Sequence, residues 1–266
     1  MSRKVAVITG ASAGLGAAFA RELAERGYDL VLVARRRERL DKLAKSITKA
    51  EETADTKIEI VAVDLADRGM NRVVVETALA RFSRVDLLVN NAGFAVRDRF
   101  SASRWQEQRD LFEVLVVSPC ELTHRLLPAM RHEGSGRIIN VASLAAFCPE
   151  LPGSLYPATK KFLVSFTRAL NQELKDVDIR ATALCPGFTY TEFHDVLGNR
   201  ERVEQLPEWM WMDADDVVIA GLEGSDQGRE IVIPGKVNKA LALLAAVIPY
   251  RLAIKLTPKA VLERNE

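Results

Sequence analysis

A strand that runs straight into a glycine turn and then a helix restricts this chain more than any other feature. Residues Lys4–Thr9 form a continuous apolar, β-branched run, and Gly10, Gly14 and Gly16 follow at once. Such a run suits a strand buried on both faces, as in a parallel sheet. The helix AAFARELAERG comes next, with Gly27 placed as its C′ residue. Strand, turn and helix N-terminus bring backbone N–H groups and the positive end of a helix dipole to one spot, which suits a pyrophosphate. Structural turns alone produce similar glycine patterns, so the rest of the chain has to decide.

The rest repeats the alternation. A second strand, YDLVLVAR, precedes a charged helix; Lys57–Val63 reads as a third strand ending at Asp64, and Gly69–Phe82 as a helix. DLLVNNAG supplies a fourth strand, Arg137–Val141 a fifth, IRATALC a sixth and REIVIPG a seventh. Between the fourth and fifth, Ala102–Arg131 reads as one long helix with apolar Leu111, Leu115, Leu122 and Leu126 and a bend near Pro119. Asp213 is placed to cap the helix DADDVVIAGLEG. With no repeat or low-complexity linker, 266 residues arranged this way predict a single α/β domain. Its architecture would be Rossmann-like and doubly wound, a seven-stranded, mostly parallel sheet with helices on both faces.

Charge narrows the partners. Lys plus Arg and Asp plus Glu nearly cancel, leaving +1, so no basic field draws the chain to nucleic acid. Cys120, Cys148 and Cys185 are odd in number and lack CxxC or metal-ligand spacing, and they read as buried thiols in a reducing compartment. MSRK leads directly into a strand rather than an apolar leader, so the expected location is the cytoplasm.

In a doubly wound sheet, ligands bind at the carboxyl ends of the strands. At the end of the second strand, where an acid would hold the ribose 2′-OH of NAD, the sequence has Ala34 and then Arg35, Arg36 and Arg37. Guanidinium groups there suit the 2′-phosphate of NADP, and they could also simply open a solvated helix. The missing acid weighs toward NADP(H). Asp64 could touch an adenine amino group or act as an N-cap. Asn90, Asn91, Ala92 and Gly93 end the fourth strand, where small residues let backbone approach a ligand.

The richest chemistry lies between Ser143 and Lys160. Tyr156 and Lys160 fall four residues apart in the helical stretch SLYPATKKFLVSFTRALNQEL, so both side chains share a face. Moving a phenol from a pKa near 10 to about 7 needs roughly 4 kcal/mol, which an adjacent ammonium and a cofactor's positive ring could supply. Ser143, ending the strand RIINVAS, could bond the same substrate oxygen.

Taken together, TGASAGLG, NNAG, a strand-end Ser, YxxxK and PG resemble the short-chain dehydrogenase/reductase family, in the branch whose cofactor turn is TGxxxGxG. The likeness runs from about Val5 to Gly187. It implies Tyr156 as general acid/base, Lys160 as the group that lowers its pKa and holds the nicotinamide ribose, and Ser143 as ligand of the substrate oxygen. It also implies that Gly10, Ser12, Gly14, Leu15 and Gly16 cradle the pyrophosphate. Asp64 and Leu65 would meet adenine, and Asn91, Ala92 and Gly93 the adenosine ribose side. The stretch Pro186–Thr191, with Gly187, Thr189 and Thr191, would meet the carboxamide and phosphates. Homo-oligomers are the family expectation. One position departs: LVVSPCELT puts Leu115 where the family has an Asn thought to support a helix kink and a water that links the lysine to solvent. The departure implies a weakened proton relay rather than lost chemistry.

Two segments follow no simple period. FTYTEFHDVLGNRERVEQLPEWMWM reads as a substrate lid over 188–212, whose Trp209, Met210, Trp211 and Met212 could line a pocket or pack the lid down. With Phe94, Leu144, Phe147, Leu151, Phe188 and Phe193, it suggests a lipophilic carbonyl or secondary alcohol as substrate. The tail over 236–266 contains NKALALLAAVIPYRLAIKL, which could lie in a membrane interface, cover the core or meet a partner subunit. The expected function is an NADP(H)-dependent oxidoreductase acting on C=O or CH–OH. The competing reading is a catalytically weak NADPH-binding sensor or scaffold.

Overall fold

The computed structural model describes residues 3–148, 155–193, 195, 198 and 200–247. Seven strands form the central sheet: β1 (Val5–Thr9), β2 (Asp29–Ala34), β3 (Ile58–Ala62), β4 (Leu87–Asn90), β5 (Ser135–Val141), β6 (Asp178–Leu184) and, after two short strands described below, β9 (Ile231–Val232). Their order is β3-β2-β1-β4-β5-β6-β9, and every neighbouring pair is parallel. The order reverses direction at β1 and β4, so the crevice at the carboxyl ends of those strands is the ligand position of a doubly wound sheet. β1, β2 and β4 are buried along their whole lengths, which is why their sequences are apolar rather than alternating.

Helices cover both faces. On one, α1 (Gly14–Glu25), α2 (Arg37–Lys49) and the helix Ala214–Asp226 pack with Ala6, Ile8, Leu30, Leu32 and Ile139. On the other, α3 (Met70–Phe82), α5 (Ser118–Glu133) and α6 (Tyr156–Glu173) pack with Val5, Val7, Val31, Val33 and Ile138. The alternation along β1 thus feeds two separate cores from one strand. α2 shows the periodic logic plainly: Leu40, Leu43 and Ile47 are its buried residues, and its outer face is charged.

The expected single helix over Ala102–Arg131 is instead two. α4 spans Trp105–Phe112, α5 begins at Ser118, and Glu113–Val117 between them is a π-helical turn in which Ser118 N–H bonds the Glu113 carbonyl, five residues back. Pro119 supplies a reason: it has no N–H to return to the Leu115 carbonyl, so the α ladder cannot pass this point unbroken. The break lies just ahead of the proline, and it carries Leu115.

Three smaller expectations also change. Asp213 holds the N-cap position, yet its side chain makes no cap hydrogen bond. Cys185 is buried, whereas Cys120 and Cys148 are only partly so, and all three are free thiols. The segment over 188–212 has its own anchorage: β7 (Phe188–Thr189) pairs in parallel with β8 (Trp211–Met212). Trp211 is buried there, stacked on Tyr190 with centroids 4.8 Å apart and tilted against Phe188, so it packs the segment down. Trp209 is 62% exposed. Leu151 lies outside the described residues, as does the tail beyond Val247; in the helix Lys236–Val247, Leu243 and Leu244 face outward. Among the described residues no helix is long and apolar enough to cross a membrane.

Candidate active site

At the end of β1 the chain turns so tightly that only glycine fits. Gly10 has φ +67°, and a Cβ there would stand 2.8 Å from Ala92 Cα; a Cβ on Gly16 would collide with the Gly10 carbonyl oxygen. A second bracing comes from Asn91, whose side-chain amide donates to the Thr9 carbonyl at 2.8 Å. The Thr9 hydroxyl accepts from the backbone N–H groups of Asn91 and Ala92, both at 3.0 Å, and donates to the Val89 carbonyl. The side chain of Asn91 therefore braces the glycine turn, leaving Ala92 and Gly93 as the small surfaces of that loop.

The turn fits an anionic group. Ala13 at the N-cap of α1 makes no side-chain cap bond, and no acidic residue lies in the helix's first turn, so no cap side chain among the described residues competes for its N-terminal N–H groups. Ser12, Gly14 and Leu15 belong to this rim, and Thr191 closes it from above, its Cβ 3.2 Å from where a Gly14 Cβ would sit. The residues present fit a dinucleotide.

Beside the turn, the arginines that follow β2 do not stand alone. Arg35 pairs with Asp64 at 3.4 Å, and Arg36 donates to Ser12 Oγ at 3.1 Å. Asp64 also accepts from Ala66 N–H at 3.0 Å, so it shapes its own turn as well as facing Arg35. Leu65 points into the core and is 7% exposed. Arg39, which sequence reasoning left on the charged face of α2, joins this cluster through Glu192 at 2.6 Å.

The second half of the crevice is built from β5 and α6. Ser143 follows β5 by two residues in extended backbone, and its Oγ accepts from Ala145 N–H at 3.1 Å, which leaves the hydroxyl hydrogen free to donate elsewhere. Tyr156 opens α6. One turn on, Lys160 is buried, donates Nζ to the Val141 carbonyl at 2.7 Å, and lies 5.4 Å from the Tyr156 ring centroid. The ammonium thus ties α6 to the strand that delivers Ser143. Burial pushes its pKa down to about 8, with a small opposing pull from Cys185, whose own thiol burial pushes up to about 12.

Leu115 reaches the same place. A side-chain carbon on Gly93 would lie 2.7 Å from Leu115 Cδ2 and 3.8 Å from Lys160 Nζ. Leu115 is 1% exposed and packs with Val96, Leu111, Phe94, Leu155 and Tyr156. The wall beside the lysine is therefore apolar where an amide was expected. On the open side Phe193 stands 5.7 Å from the Tyr156 ring.

The loop after β6 completes the crevice. The Pro186 carbonyl accepts Leu144 N–H at 2.7 Å, holding the Ser143 turn, and Thr189 is buried in β7 with its hydroxyl on the Gly187 carbonyl. Gly187 packs against the buried Asn238 of the helix Lys236–Val247, a support that sequence reasoning missed because it depends on a residue 51 positions away (238 − 187). Among the described residues no cluster of His, Cys, Asp and Glu could hold a metal ion.

Comparison with known proteins bears on the fold and the family. A short-chain dehydrogenase from Sphingobium yanoikuyae in complex with NADPH superposes with a TM-score of 0.79 at 33% identity, covering 92% of this chain and 96% of that one. The bulky-bulky ketone specific alcohol dehydrogenase of Comamonas testosteroni gives 0.76 at 30%, covering 94% and 96%. A Burkholderia phymatum short chain dehydrogenase/reductase in complex with NAD shares the fold, with a TM-score of 0.82 at 24% identity over 91% of this chain and 92% of that one. The family profile described as short chain dehydrogenase matches residues 4–202, three-quarters of the length. The chain belongs to the short-chain dehydrogenase/reductase family and is an oxidoreductase of the kind that acts on alcohols and ketones.

Proposed function

We propose that this chain is an NADP(H)-dependent oxidoreductase of lipophilic ketones or secondary alcohols, with Ser143, Tyr156 and Lys160 as its catalytic residues. The observation that carries the reading is the Lys160 ammonium, fixed on the Val141 carbonyl beside the Tyr156 ring. NADP(H), when bound, supplies or takes up the hydride. In the reductive direction Tyr156 gives its proton to the substrate oxygen, and the free Ser143 hydroxyl hydrogen stabilises charge developing on the same atom. The nearby cationic form of Lys160 favours the phenolate left on Tyr156.

Gly10, Ser12, Gly14, Leu15, Gly16, Ala92, Gly93, Pro186, Gly187, Thr189 and Thr191 would line the cofactor's path, with Asn91 acting through the turn it braces. Arg35, Arg36 and Arg39 support the choice of NADP(H), since no acid follows β2 to accept the 2′-OH of NAD. Leu115, Phe94, Val96 and Phe193 around the tyrosine support an apolar substrate. The 188–212 segment, seated on the β7–β8 ladder, would act as the lid, and the enzyme would be a cytoplasmic homo-oligomer. Leu115 is also what favours the competing reading, a cofactor-binding protein of weak catalysis.

Fluorescence titration with NADPH and NADH, followed by a panel of lipophilic carbonyls, tests the proposal. The expected result is NADPH binding with turnover of one or more panel members, and a Tyr156→Phe variant that binds NADPH normally and turns over nothing. Turnover retained by Tyr156→Phe would remove the tyrosine from its role. Tight NADPH binding with no turnover across the panel would favour the sensor.

A further inference from the structure

Two of the cations after β2 already meet an anion from a distant part of the chain, 153 positions beyond Arg39. Glu192, directly after Thr191, places Oε2 2.6 Å from Arg39 Nη1 and 3.8 Å from Arg36 Nη1. Arg36 turns its other terminal nitrogen to Ser12 Oγ at 3.1 Å. One carboxylate therefore joins three parts of the site: the glycine turn through Ser12, the start of α2, and the segment that leaves β7. Two guanidinium groups converging on one oxygen anion form the arrangement that would also receive a phosphate ester, whose oxygens suit the same planar forks.

Nothing commits these partners to each other. Side-chain exposures are 50% for Glu192, 47% for Arg36 and 43% for Arg39, so water solvates all three and the pairs contribute little to folding. An exchangeable contact at a ligand's edge differs in this respect from the buried Lys160–Val141 bond. Among the described residues no second acid pairs with Arg36 or Arg39: Asp64 is engaged with Arg35, and Asp41 faces Arg37 at 3.9 Å.

We propose that Glu192 is an internal anion that competes with the 2′-phosphate of NADP(H) for Arg36 and Arg39, tuning affinity for the phosphorylated cofactor and linking its arrival to the segment after β7. The inference rests on the NADP(H) reading. A phosphate dianion and a carboxylate on the same two guanidinium groups repel, so the phosphate binds against Glu192 or displaces it. A cofactor with a plain 2′-hydroxyl carries no charge to compete. Displacement would remove one tie on Thr191–Phe193, whose Thr191 carbonyl Arg200 also holds at 3.2 Å and which lies over both the glycine rim and Tyr156.

The test is equilibrium binding to the full chain at low salt, comparing NADPH with NADH and adenosine 2′,5′-bisphosphate with adenosine 5′-monophosphate. The two nucleotides lack the nicotinamide and report the adenosine end alone. In Glu192→Gln, NADPH and the bisphosphate bind roughly five-fold more tightly, while NADH and the monophosphate stay within about two-fold. The gain disappears in the Arg39→Gln background, because the two residues act through one contact. Glu192→Ala serves as a second variant, and a thermal melt confirms that both fold. NADPH binding that is unchanged or weaker in both variants overturns the inference, as does equal tightening of NADPH and NADH. Wild-type protein that binds NADH as tightly as NADPH, and the monophosphate as tightly as the bisphosphate, overturns the cofactor reading itself before any variant is made.

Discussion

Two cationic regions flank the crevice, and they work by opposite means. At Lys160 a single ammonium is buried, held on the Val141 carbonyl and enclosed by Leu115 and Cys185. At the end of β2 three guanidinium groups stand half in water, each paired with an acid or hydroxyl that solvent could replace. The buried charge is expensive to keep and its influence short-ranged but strong; the exposed ones are individually weak and act as a set. The difference teaches where substitution should hurt.

The largest effect is expected at the buried end. Lys160→Met should lower kcat/KM by about 10²–10⁴, the range of a lost acid–base aid, measured with any substrate the panel yields. It should also alter stability in a pH-dependent way. Folding depresses the Lys160 pKa from 10.5 to about 8, so the unfolded chain binds more protons between those values, and wild-type apoprotein gains stability as pH rises through that window. Denaturant melts across this range should show a wild-type gain of roughly 3 kcal/mol relative to Lys160→Met. Parallel curves would mean that the ammonium is not desolvated.

A middle-sized effect is expected at the apolar wall beside Lys160. Leu115→Asn should return an amide to the space beside Lys160, raise the lysine pKa toward its usual value and admit water. Turnover and its pH profile should both change, and the stability gain above pH 8 should shrink. Loss of buried leucine packing should cost about 2 kcal/mol at neutral pH. Unchanged turnover with an unchanged pH profile would show that relay through this position is unimportant here.

The smallest effect belongs to the exposed end. Arg35, 71% exposed at its side chain, meets Asp64 at 3.4 Å. Arg35→Gln should leave stability within about 0.5 kcal/mol and weaken NADPH binding several-fold at low salt, a loss that fades in about 1 M salt. A loss that persists at high salt would make this contact resemble Lys160 and break the contrast.

These regions also differ in how readily the chain announces them. The glycine turn, the buried strands, Ser143 and the Tyr156–Lys160 spacing are local patterns, set by residues within one turn or one strand, and they could be read directly. The π turn at Glu113–Val117 could not, although Pro119 hinted at a break, because a missing N–H says that a ladder is interrupted without saying which register replaces it. Arg39 and Glu192 are separated by 153 positions and carry no periodic signal, so only the fold brings them together. Asn91 was visible as part of NNAG, but its attachment to the Thr9 carbonyl depends on β1 and β4 being neighbours. Sequence announces groups, and topology decides whom they meet.

Asn238 gives the end of the chain an unexpected standing. Its amide donates to the Pro234 carbonyl at 2.9 Å, touches Met212 sulfur at 3.6 Å and presses on Gly187. The helix Lys236–Val247 is therefore a clamp on the bend that follows β6, and through Pro186 on the Ser143 turn. A change that displaces Asn238 would be passed on through Gly187 and Pro186 to the turn that holds Ser143.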